Sequence, residues 1–478
     1  MLFNSTGFAL FLPVVFLLYW FVSGKNLRIQ NLLLLAASYF FYACWDWRFL
    51  FLLLFSTLLD FYSGLKIQEH AGPGRKKFWF WLSILINLGF LGIFKYYNFF
   101  AGSFVAGLQH FGFQVHPPLL DVLLPVGISF YTFHGLSYVI DVYKSRIRAE
   151  ENFVDYAVFV SFFPLLVAGP IERATHLLPQ IKKARMANAS QMTDGLRQIL
   201  WGLFKKVVIA DNCADYANQI FANSDLYSGP ALLLGAVLFA FQIYGDFSGY
   251  SDMALGTARL FGIELLRNFA FPYFSRDIAE FWRRWHISLS SWFRDYLYFP
   301  LGGSRGSIWQ SIRNTFIIFL VSGFWHGANW TFIAWGALNA LYFLPLLLNK
   351  SNRSNLDIVA QGRTLPGLKE FFQMLLTFFL STMAWIFFRA ADLNQAISMI
   401  GRILRFAPSP YSVNVSKTNI LLLVFFNLME WTGREQSYAI ARTGDSWPKS
   451  LRWLFYYFIL ILIFAFSGSQ QQFIYFQF

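Results

Sequence analysis

The ten residues VSGFWHGANW, Val321 to Trp330, decide how this chain is read, because they set one histidine between two apolar runs at about 308–325 and 329–348. Each run is long enough to enter a hydrocarbon layer, so His326 stands at membrane depth, where an ionisable side chain is expected to do work. A neutral imidazole can take a proton from a hydroxyl near neutral pH. Gly323 and Gly327 are expected to leave room beside the ring for a substrate. The competing expectation is a buried imidazole bonded to a neighbouring backbone carbonyl.

Outward from this stretch the same character persists over 478 residues, of which 56% are hydrophobic, 21% aromatic and only 13% charged. Soluble domains carry about 25% charge, so the composition indicates an all-α polytopic membrane protein, read as a single domain over 1–478. Candidate spans fall at about 7–23, 31–45, 49–65, 78–94, 120–140, 153–169, 196–221, 230–262, 308–325, 329–348, 370–389, 417–431 and 451–467. The first is expected to stay as an anchor, since residues 1–6 hold no Lys or Arg and no small-residue cleavage pattern follows the run.

Basic residues cluster after the first, third and fifth spans: Lys25 and Arg28; Lys66, Arg75, Lys76 and Lys77; Lys144, Arg146 and Arg148. The expected loop 95–119 has Lys95 as its one basic residue, which predicts an outside N-terminus and cytoplasmic clusters, with 169–206 also inside. The net charge of +13 is thereby explained by short loops touching water and lipid headgroups, and no basic stripe or module indicates nucleic acid. Cys44 and Cys213, the only thiols, indicate neither a disulfide framework nor a metal site.

Three further segments stand out. FWRRWHISLSSWFRDY at 281–296 is too charged for a lipid-facing span and too aromatic for an ordinary loop. It predicts an interfacial or re-entrant helix with Phe281, Trp285 and Trp292 near one face. Its arginines meet either anionic lipid or an anionic donor gripped at the cytoplasmic mouth, with Arg283, Arg284 and Arg294 as candidates. YGDFSGYSDM at 244–253 interrupts an apolar run with two carboxylates and two glycines, which predicts close packing, a broken helix beside a cavity, or a boundary turn. In LPVGISFYTFH at 124–134, helix kinking and small-residue packing suffice, and His134 reads as a structural histidine.

Taken together these segments resemble the membrane-bound O-acyltransferase (MBOAT) family, in its branch of alginate O-acetyltransferase membrane subunits. The resemblance rests on PVGISFYTF at 125–133, AGPIER at 168–173, GDFSGYSD at 245–252, FWRRWH at 281–286, YLYFPLGG at 296–303 and FWHG at 324–327, and extends to NLLLLAASYFFY at 31–42 and AWIFFR at 384–389. It implies a ring of about 11–13 transmembrane helices, with re-entrant or interfacial helices, around a central tunnel. His326 matches the family histidine and His286 the second one, on the donor side.

The implied reaction moves an acetyl group from cytoplasmic acetyl-CoA to an outward hydroxyl. His326 is expected as general base, Trp325, Asn329 or Trp330 as oxyanion donors, and Asp246 with them in the tunnel lining. Acetyl-CoA is a cosubstrate, and no permanently bound cofactor or metal is expected. The resemblance further implies the bacterial inner membrane, a periplasmic serine-hydrolase-like partner and a polysaccharide acceptor. Alternatives are O-acetylation of peptidoglycan, D-alanyl transfer to teichoic acid, and, in a different class, a proton-coupled transporter or channel, for which no inverted repeat is detectable.

Overall fold

The computed structural model describes residues 1–24, 26–70, 72–115, 117–121, 123–167, 169–467 and 471–474. Lys25 of the first basic cluster and Ala168 of the 168–173 motif lie outside them. Among the described residues the regular structure is helical, with no strand beyond an isolated bridge between Tyr227 and Tyr411. The protein is a multi-pass membrane protein: Leu27–Asp46, Arg48–Glu69, Pro73–His110, Gly229–Leu260, Trp330–Leu348 and Leu368–Arg389 are each long and apolar enough to cross a bilayer. The chain forms two compact units, residues 1–192 with 257–266, and residues 193–256 with 267–478.

In the first unit the helix Ile128–Tyr143 is buried along nearly its whole length. Its glycine and small residues let neighbours close on it from all sides. Gly127 starts it at φ 75°, and a Cβ there would lie 2.2 Å from the carbonyl oxygen of Leu166, so only glycine fits this turn. Among the described residues of the expected span 120–140 the helix starts at Ile128. The expected span 153–169 is likewise two short helices, Phe153–Ser161 and Phe163–Leu166, because Pro164 forces Phe163 and its neighbours into a new helical start.

The expected loop 95–119 is instead helical as far as His110, since the chain passes from Pro73–Leu91 through a π-turn at Gly92–Tyr96 into Tyr97–His110. The interior polar groups of this unit are paired as a low-dielectric setting demands: the Asp60 carboxylate accepts from Ser83 at 2.6 Å and from Asn87 at 2.8 Å. His134 is buried and its Nε2 accepts from the Glu172 N–H at 3.1 Å, a structural role. A cavity of about 1000 Å³ in this unit is lined by Lys76, Arg146 and Arg148, so two of the three basic clusters meet at one place.

The second unit answers the question posed by residues 244–253. Gly229–Leu260 runs through them as one unbroken helix of 32 residues, so neither the break nor the boundary turn forms. The glycines serve close packing: a Cβ on Gly249 would lie 2.8 Å from the Gly202 carbonyl oxygen, and one on Gly245 2.9 Å from that of Lys205. The carboxylates are neutralised across the same contact, where Lys205 meets Asp252 at 2.5 Å and Lys206 meets Asp246 at 2.7 Å. A buried pair of this kind replaces the hydration both charges lose.

Candidate active site

Residues 278–298 build one wall of the candidate site. The expectation of a single interfacial helix is corrected: two seven-residue helices, Ile278–Arg284 and Ile287–Phe293, meet at a break, followed by a π-turn at Arg294–Tyr298. Asp277 caps the first helix by accepting from the Glu280 N–H at 2.7 Å. The break falls on His286, whose φ of 42° is a left-handed conformation that a residue with a side chain adopts at a cost of about 1–3 kcal/mol. Aromatic contacts offset it. Trp285 packs 5.1 Å from Phe269 and 4.9 Å from Trp385, and it stacks on Phe281 at 5.6 Å, pairs worth about 0.5–1.5 kcal/mol each beyond their buried area.

The opposite wall is a helical hairpin, Ile308–His326 and Trp330–Leu348. His326 is the last residue of the first helix, and Asn329 caps the second through the Thr331 N–H at 3.0 Å. The glycines do not open space for a substrate as expected. A Cβ on Gly323 would lie 2.2 Å from the Phe332 carbonyl oxygen, one on Gly336 2.3 Å from that of Phe319, and one on Gly327 2.1 Å from the Phe332 ring. Absent side chains are filled by the partner helix, which brings the two helices into backbone contact and holds His326 at their tip.

Between these walls the two histidines converge, with ring centroids 6.4 Å apart. Both are buried, at 1% exposure for His286 and 4% for His326. Trp335 and Phe388 set their rings edge-on to His326 at 5.2 Å each, Phe247 sits edge-on to His286 at 4.6 Å, and Trp325 touches both at 6.1 Å and 4.9 Å. Such a setting excludes water and strengthens every remaining polar interaction. Among the described residues no group of three or more His, Cys, Asp or Glu side chains is arranged as metal ligands.

The other expected site residues divide. Trp325 is buried with the histidines, whereas Trp330 is 53% exposed and Asn329 spends its amide on the Ala391 carbonyl at 3.1 Å. Asp246 accepts from Lys206 and, at 2.7 Å, from the Ile474 N–H. Arg283 donates to the carbonyls of Asn352 at 2.9 Å and Asn355 at 2.6 Å. Arg284 donates to Glu280 at 2.7 Å and to the Asp357 carbonyl at 2.9 Å. These two arginines rivet the loop that follows the hairpin. Arg294 pairs with its sequence neighbour Asp295 at 2.8 Å, and its own side chain is 57% exposed, which leaves it accessible to an anion.

Reading the sequence missed Trp335, Trp385, Phe388 and Phe247, which look like ordinary span residues, and Asn268, whose Oδ1 lies 3.0 Å from His286 Nδ1. It also missed Arg276, which joins Glu280 at 3.0 Å to Asp357 at 2.9 Å. The hydrogen bond from Arg276 holds the Asp357 carboxyl below the usual carboxylate range.

Comparison with known proteins gives the chain's family. The model of the MBOAT, membrane-bound O-acyltransferase, family matches residues 144–388, a stretch that contains both histidines. The protein named Probable alginate O-acetylase AlgI from Pseudomonas aeruginosa is 41% identical over 445 residues, spanning 90% of this chain and 82% of that one. The Peptidoglycan O-acetyltransferase of Helicobacter pylori is 37% identical over 429 residues, 84% of this chain and 79% of that protein. A Teichoic acid D-alanyltransferase from Bacillus subtilis is 29% identical over 250 residues, 48% of this chain and 60% of its own.

Proposed function

Because the chain belongs to the membrane-bound O-acyltransferase family, we propose that it takes an acetyl group from cytoplasmic acetyl-CoA and passes it to a hydroxyl on the outer side of the membrane, for O-acetylation of an alginate-like polysaccharide. The observation that carries the reading is the convergence of His286 and His326 in a buried aromatic enclosure. Two imidazoles in a dry site suit proton transfer.

In this mechanism the acceptor hydroxyl approaches His326, which removes its proton as the oxygen attacks the thioester carbonyl carbon. The tetrahedral oxyanion collapses, the C–S bond breaks, and the proton held by His326 passes to the departing thiolate, so that CoA leaves as its thiol and His326 is again neutral. Trp325, buried against both rings, carries an indole N–H that suits stabilisation of the oxyanion. Arg294 is the arginine best disposed to meet a CoA phosphate, because Arg283 and Arg284 are engaged by carbonyl oxygens and Glu280. On the positive-inside rule the reading has the basic clusters in the cytoplasm and the N-terminus outside, in a bacterial inner membrane, with a periplasmic serine-hydrolase-like partner that carries the acetyl group to the polymer.

Purified protein in liposomes, supplied with acetyl-CoA and either alginate or peptidoglycan fragments together with candidate partners, tests the reading. Thiol release that needs an acceptor and vanishes in His326→Ala supports it. Solute movement without thiol release would instead make the chain a transporter, and acetylation of peptidoglycan alone would reassign the acceptor.

A further inference from the structure

Asn268, 1% exposed, lies against the break that carries His286 and holds it with both its oxygens. Its backbone carbonyl accepts from the Ile287 N–H at 2.9 Å. Its side-chain Oδ1 accepts from the Ser288 hydroxyl at 2.9 Å and from the Ser288 backbone N–H at 3.4 Å, while its Nδ2 donates to Ser251 Oγ at 3.1 Å. The orientation of this amide is therefore decided by chemistry: a backbone N–H can only donate, so the atom facing Ser288 must be the oxygen.

The same oxygen lies 3.0 Å from His286 Nδ1. An amide oxygen can only accept, so Nδ1 must carry the proton, and in the neutral ring Nε2 then carries the lone pair. We infer that Asn268 is a positioning residue that fixes His286 as the Nδ1–H tautomer, making its Nε2 a hydrogen-bond acceptor in the reaction. This inference rests on the acetyltransferase reading for its catalytic part. It assigns the two histidines different duties: with its proton held on the Asn268 side, the neutral His286 presents no N–H to a developing oxyanion, and its Nε2 instead accepts from a hydroxyl or from a protonated neighbour. Asn268 also secures the left-handed backbone at His286, since its carbonyl and Oδ1 take the N–H groups of the two residues that follow.

The test joins a spectroscopic readout to a kinetic one. In histidine-labelled full-length protein in liposomes, nitrogen NMR identifies the His286 ring by its loss in His286→Gln and reports which nitrogen is protonated. Wild type should show Nδ1–H. Asn268→Leu, close in size but without an acceptor, should mix the two tautomers and lower kcat for thiol release by on the order of 10²-fold, less than the ~10⁴-fold that follows an imposed wrong tautomer in a catalytic triad. KM for acetyl-CoA should stay within about twofold, because substrate binding is untouched. Asn268→Asp keeps the acceptor, so it should keep the Nδ1–H signature and recover most of the rate, and it carries the comparison if the leucine variant fails to fold.

An Nε2–H ring in wild type overturns the inference. So does a folded leucine variant whose loss lies wholly in KM, or one that keeps full kcat. If wild type releases no thiol at all, the acetyltransferase reading fails, and the spectrum still decides the tautomer.

Discussion

Gly323→Ala puts a single methyl where the helical hairpin has no space. The new Cβ would lie 2.2 Å from the Phe332 carbonyl oxygen, about 1.2 Å short of the 3.4 Å at which ordinary contact begins. That oxygen belongs to backbone, so the helices Ile308–His326 and Trp330–Leu348 must part by about that distance at this crossing. Gly336 makes the equivalent contact with Phe319 at 2.3 Å, so the hairpin is pinned at a second point and the shift falls on the end that carries His326, three residues beyond Gly323. Overpacking of this size costs about 1–3 kcal/mol, and a displacement of about 1 Å in a catalytic group can cost ~10²-fold in rate. We expect kcat for thiol release to fall about 10²-fold in protein that still inserts and purifies, with a lowered thermal midpoint. Gly401→Ala, in the helix Leu393–Leu404 with nothing within 4 Å of the new methyl, is the control and should leave both unchanged or gain about 0.5–1 kcal/mol. An unaltered midpoint in Gly323→Ala would refute the close crossing, and a lowered midpoint with full kcat would refute its role in holding His326.

His326→Ala should lower kcat by about 10²–10⁴-fold, the range general bases supply, with normal insertion judged by size-exclusion fluorescence. Full activity would remove His326 from the chemistry. Arg294→Gln should raise KM for acetyl-CoA several-fold with little change in thermal midpoint, whereas Arg283→Gln should lower the midpoint and increase proteolysis of the loop at 352–357 that it anchors; the reverse pattern would assign the phosphate contact to Arg283. The Asp357 carboxyl is held down by Arg276, so its tether is present above the ordinary carboxylate pKa of about 4 and is lost as pH falls through its depressed folded value. Hydrogen-exchange protection factors for the loop, corrected for intrinsic rates, should drop below that range in wild type. They should be low and independent of pH in Asp357→Asn.

The class of the fold was legible because bilayer depth imposes a length and a composition on each span, and those are properties of consecutive residues. The hairpin limits at 308–325 and 329–348 match the helices to within a residue or so. His326 stands out for a similar reason, since an ionisable ring between apolar runs is costly wherever the chain goes, whereas His286 is picked out by the FWRRWH motif that the resemblance rests on. Glycine was not legible in the same way. Gly245 and Gly249 read equally as a break or as close packing, and Gly323 and Gly327 as room for a substrate, because the missing side chain says only that something comes near. What comes near is set by another helix: the backbones of Lys205 and Gly202 in the first case, the carbonyl and the ring of Phe332 in the second.

Consecutive residues suffice to give a helical membrane protein with His326 at membrane depth, since burial in lipid acts on every local segment. Only the folded chain brings His286 and His326 face to face, sets Trp335, Phe388 and Phe247 against them with Trp385 stacked behind Trp335, and turns Arg283 and Arg284 to carbonyls and a carboxylate. It also brings Asn268 to the imidazole at the break between the helices Ile278–Arg284 and Ile287–Phe293. These are contacts between residues far apart in sequence or across a non-helical turn, set by packing and hydrogen-bond geometry, and no periodicity along the chain carries them.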